Sequence, residues 1–66
     1  MLPRDYQQIM ETVRRVPGAI TAEEVCGELG LDTAPAAVEA MLSKLNLLAE
    51  RGWLRKTPTG DLFRPS

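Results

Sequence analysis

The side chains best placed to do chemistry lie at the end of the chain. Residues 51–66 hold Arg51, Arg55, Lys56 and Arg64 against a single acid, Asp61, a balance of +3. Residues 1–50 carry a balance of −4, which leaves the chain at −1. Clustered cations of this kind attract phosphate without regard to base sequence, and the attraction weakens with salt. The plainer alternative is a hairpin edge charged to prevent edge-to-edge pairing. Other chemistries find little support. There is no histidine, so a general base would have to be a carboxylate or lysine with its pKa shifted by burial. Glu23, Glu24 and Glu28 fall on the solvent side of a helical pattern, which offers no such burial. Cys26 is the one cysteine; alone it makes neither a disulfide nor a tetrahedral metal site. It falls on an apolar stripe and reads as a small packed hydrophobe. No glycine-rich phosphate loop is present. The expectation is no catalytic residue, no metal and no cofactor: a chain that acts by binding.

The elements that must position those cations follow from the apolar pattern. Sixty-six residues, 44% of them hydrophobic, make one domain at most, burying roughly 60% of the unfolded surface. Pro3 suits a first helical turn. Tyr6, Ile9, Met10, Val13 and Val16 then recur at helical spacing, with Gln7, Gln8, Glu11, Thr12, Arg14 and Arg15 mostly on the other side, predicting a helix over 4–16. Pro17-Gly18 ends it. Ala19-Ile20 reads as a very short extended piece. Thr21 and Glu24 have capping-box spacing, opening a helix over 22–29 that turns Ala22, Val25, Cys26 and Leu29 inward. Gly30 suits the left-handed residue after a helix, and Leu31 is expected as a plug between two crossing helices. Asp32 or Thr33 is expected to cap a third helix over 34–51, about five turns long, with Pro35 in its first turn. Val38, Met41, Leu42, Leu45, Leu48 and Ala49 form its core arc. Beyond Gly52, Trp53–Thr57 and Leu62–Arg64 read as strands around a Pro58–Asp61 turn, with Leu54 and Phe63 on one face. Trp53 is expected as a lid on the core. The fold class is therefore mainly α with a small β-hairpin, in one domain over 1–66 with a wing-like flap over 53–64.

That order resembles the winged helix-turn-helix family of bacterial DNA-binding domains. The resemblance rests on Ile20-Thr21-Ala22-Glu23-Glu24-Val25, Leu29-Gly30-Leu31 and Glu50-Arg51-Gly52-Trp53-Leu54, and it covers roughly residues 4–64. It implies three helices plus a C-terminal wing, with double-stranded DNA as the partner. It also implies groove-facing positions at Thr33, Ala36, Ala40, Ser43 and Lys44, and wing contacts at Arg55, Lys56, Thr57 and Thr59. Arg51 adds a cation beside the wing.

The outer face of the third helix supports two readings. Only Lys44 and Asn46 there can reach base edges as donors or acceptors, whereas small residues permit close approach to a groove. Ala36, Ala40, Ser43 and Leu47 also make a stripe on which another helix could pack, as a homodimer or with a larger protein partner. The longest apolar run, Leu47-Leu48-Ala49, is far below the ~20 residues of a membrane span. The first residues lack the apolar stretch of a secretory signal. With one unpaired cysteine, a cytoplasmic protein without membrane contact is expected.

Overall fold

The computed structural model describes residues 2–58 and 62–66. Three helices and a two-stranded antiparallel hairpin follow one another as α1 (Arg4–Arg15), α2 (Ala22–Glu28), α3 (Pro35–Glu50), β1 (Leu54–Lys56) and β2 (Phe63–Pro65). Asp5 in the first turn of α1 and Arg14 and Arg15 in its last have the signs that the helix dipole favours. Val16 leaves the helix in extended geometry (ψ 127°), as a residue before proline must.

Ile20 forms an isolated antiparallel bridge to Phe63. Each backbone N–H donates to the other's carbonyl at 2.9 Å. The short link between α1 and α2 is thereby tied to the far strand of the hairpin. Thr21 then caps α2 reciprocally: its Oγ1 accepts from the Glu24 N–H at 3.1 Å, and its own N–H donates to a Glu24 carboxylate oxygen at 2.9 Å.

Helices α2 and α3 end on the same device. After α2, Gly30 takes φ 70°, its N–H donates to Gly27, and the Leu31 N–H donates to Cys26. After α3, Gly52 takes φ 85°, its N–H donates to Ala49, and the Trp53 N–H donates to Leu48. These are Schellman ends, which satisfy the last carbonyls and need a residue tolerant of positive φ. In both cases the large residue after the glycine is held by its backbone. Leu31 accordingly does not plug the crossing of α2 and α3; 51% of it is exposed. Trp53 is not part of the core cluster either; 41% of it is exposed, and it borders α1.

The start of α3 also differs from expectation. Its N-cap is Ala34, without a side-chain cap. Asp32 instead accepts from the Ala34 N–H at 3.0 Å, a local turn one step ahead of the helix. Pro35 supplies the preorganised first position.

One apolar centre joins all five elements. Ile9, Val13, Ile20, Val25, Leu45, Leu48, Leu54 and Phe63 are each at most 3% exposed. Leu29, Val38, Leu42 and Ala49 pack against them. Helix α2 lies on α3, β1 on α3, and β2 on α1. Thr12, expected on the polar side of α1, is buried instead. It stands between Ile9 and Val16 on the core stripe, and its hydroxyl donates to the Gln8 carbonyl at 2.9 Å. No helix among the described residues is long and apolar enough to cross a membrane.

Candidate nucleic-acid interface

The hairpin sorts its cations by strand register. Leu54 pairs with Pro65, Arg55 with Arg64, and Lys56 with Phe63. Side chains alternate between the faces of a strand. Leu54 and Phe63 therefore share the face that is buried on the helices, while Arg55 and Arg64 stand opposite each other on the other face, both exposed. Like charges directly opposed across a ladder cost a few tenths of a kcal/mol or more. Neither arginine has an ion-pair partner among the described residues.

Lys56 lies on the same face as Phe63. Its Nζ is 6.0 Å from the centre of the Phe63 ring, at the outer limit of a cation–π contact. It shares a shallow groove with Asn46, Ala49 and Glu50, so it is turned toward α3 rather than alongside Arg55. Arg51, the C-cap residue of α3, is exposed. Thr57 is half-buried, and its N–H donates to the Leu62 carbonyl at 3.0 Å. Thr59 lies outside the described residues.

The face of α3 turned from the core holds Ala36, Glu39, Ala40, Ser43, Leu47 and Glu50, all exposed, with Thr33 exposed just ahead of the helix. Lys44 sits at the flank of this face and is already engaged. Its Nζ lies 3.3 Å from Asp5 Oδ2 on α1, the one ion pair among the described residues. That hydrogen bond from Lys44 is the main cause that holds the Asp5 carboxyl below its ordinary pKa of 3.8. The outer face of α3 is thus left without an unengaged cation between Pro35 and Glu50.

The positions named from the sequence therefore form two surfaces: a helical face with Thr33, Ala36, Ala40 and Ser43, made acidic by Glu39 and Glu50, and a cationic hairpin face with Arg55. The direct opposition of Arg64 to Arg55 is the feature that sequence reasoning passed over. The Pro58–Asp61 turn expected from the sequence would pair 57 with 62 and hence 55 with 64, so the register was available by counting. Among the described residues, no cluster of histidine, cysteine, aspartate or glutamate could hold a metal. Set against known proteins, the chain matches no family model, no curated protein and no solved structure.

Proposed function

We propose that the chain is a winged helix-turn-helix DNA-binding domain that grips the phosphate backbone through its hairpin. In this reading α3 offers a small-residue face to the groove, and the domain serves transcription regulation or a mobile element in the cytoplasm. The observation that carries the reading is the Arg55–Arg64 pair. Two guanidiniums opposed on an exposed face repel each other in the free protein, and a phosphate between them removes that repulsion while accepting hydrogen bonds from both. The element order supports it too, because the Ile20–Phe63 bridge fixes the hairpin to the helical body, so the cations are carried on a braced element. Small residues on α3 suit close approach more than base readout, which favours binding of low sequence selectivity. With few cations on an acidic body, two copies side by side would double the phosphate contacts.

The test is a titration of fluorescently labelled duplex at low and moderate salt. Three phosphate contacts, from Arg51, Arg55 and Arg64, give an expected slope of about −2.7 in log affinity against log salt. Absence of binding at low salt with tens of micromolar protein removes the reading for this chain.

A second reading, a protein-interaction or dimerisation module without DNA contact, is favoured by the exposed Ala36-Ala40-Ser43-Leu47 stripe, with Leu47 37% exposed. Sedimentation of the native chain and of Leu47→Glu separates the two. An oligomer that survives Leu47→Glu eliminates that stripe as the interface.

A further inference from the structure

Helix α1 and Trp53 border an open groove of about 510 Å³ whose polar lining includes Arg4, Gln8, Glu11 and Arg14. Its apolar lining comes from Leu2, Met10 and Trp53. The tryptophan is displayed there by the Schellman end of α3, which fixes its backbone to Leu48 at 2.9 Å. Arg4 and Arg14 stand at opposite ends, ten residues apart on one helix, or ~15 Å along the axis. Neither has an ion-pair partner among the described residues. Glu11 lies between them.

We propose that this groove docks an extended, acidic segment of a partner protein, with one bulky apolar side chain seated against Trp53 and a carboxylate on either side reaching Arg4 and Arg14. An extended chain rises about 3.3 Å per residue and alternates its side chains between faces, so the two carboxylates should stand about four residues apart, the even spacing that keeps both on the groove side. The Gln8 amide borders the same groove and suits the peptide backbone between them. Glu11 selects the class of ligand. One turn from Arg14 and two from Arg4, it repels negative charge in the Arg14 half of the groove, which disfavours a uniformly charged phosphate backbone relative to a ligand with separate, spaced carboxylates.

Trp53 is the only tryptophan, so its fluorescence reports occupancy directly. The probe is a capped ten-residue peptide with two glutamates four positions apart and a single leucine midway, so that all three side chains share one face of the extended chain. A control peptide carries lysine in place of both glutamates. The expected result is a saturable change in Trp53 emission below roughly 1 mM peptide, absent with the control. Arg4→Glu/Arg14→Glu should weaken it about tenfold or more, with circular dichroism confirming an intact fold. Arg55→Ala/Arg64→Ala must bind the peptide as the parent does, which separates this site from the duplex-binding surface. No saturation, equal binding of the lysine peptide, or undiminished binding by the doubly reversed variant overturns the proposal. So does a single-stranded oligonucleotide that produces the same saturable Trp53 response.

Discussion

The outer face of α3 and the outer face of the hairpin are both turned from the core, and they are chemically unlike. The helix presents Ala36, Ala40, Ser43 and Leu47, flanked by Glu39 and Glu50, while its single lysine is tied to Asp5. The hairpin presents Arg55 against Arg64 with no acid to offset them among the described residues. The first surface is suited to close approach and the second to anions. Placing the cations on the smaller element makes the charge chemistry depend on how firmly that element is anchored. An isolated two-stranded hairpin is only marginally stable, so its anchor is the quantity to attack first.

Phe63→Ala should have the largest effect. Phe63 is fully buried, and its backbone carries the bridge to Ile20. Truncating a buried phenylalanine costs about 3–5 kcal/mol. A domain of this size has ~3–10 kcal/mol in total. Urea denaturation should show a large loss of stability or an unfolded chain. A small loss would mean that the hairpin contributes little to the core and is only loosely anchored to the helices.

Arg55→Ala/Arg64→Ala attacks the charge without touching the core. Duplex affinity should fall, and the salt slope should shrink by about 1.8, two phosphate contacts at 0.9 each. Stability should hold or rise slightly, because an opposed like-charge pair is removed. An unchanged slope would take these arginines out of the interface and leave Arg51 and the α3 face as the candidates.

Thr21→Ala provides the matched control. It removes the cap of α2 and should cost ~1 kcal/mol in denaturation, while leaving the duplex salt slope where it was. A slope that changed with it would mean that binding senses global stability rather than the charges of either face.

Much of this arrangement was legible from local pattern. The capping box at Thr21 and Glu24, the glycines at 30 and 52, and the apolar arc of α3 are each set by neighbours a few residues away. The bridge of Ile20 was foreseeable only as an extended piece, since its partner Phe63 is remote in sequence. Leu31 was misplaced because its position is decided by a backbone hydrogen bond, which does not require its side chain to be buried. Thr12 was misassigned by residue type, although its spacing from Ile9 and Val16 put it on the core stripe. A threonine whose hydroxyl returns to a carbonyl four residues earlier can be buried with its polar group satisfied. The Trp53 groove depends on where the turn after α3 sets Trp53 beside α1, which no local spacing records. Its one sequence trace is the recurrence of Arg4, Gln7, Gln8, Glu11 and Arg14 along a single helical stripe.

The Lys44–Asp5 pair makes the smallest prediction and bears directly on why the α3 face lacks an available cation. Both side chains are well exposed, 39% and 56%, so screening by water and salt leaves the pair a minor contributor to stability. Its pH dependence has a definite sign. The folded-state pKa of Asp5 is depressed below 3.8, chiefly by the hydrogen bond from Lys44. The contribution is therefore fully present above the unfolded value and is lost as pH falls through the folded one. A carboxyl titration followed by NMR should place the Asp5 midpoint below 3.8, and Lys44→Met should move it back toward that value. Asp5→Asn releases the lysine instead. If α3 does approach DNA, this variant should bind duplex more tightly and add up to about 0.9 to the salt slope, one phosphate contact. If the slope stays fixed, Lys44 lies out of reach of the backbone, and DNA contact falls to the hairpin and Arg51.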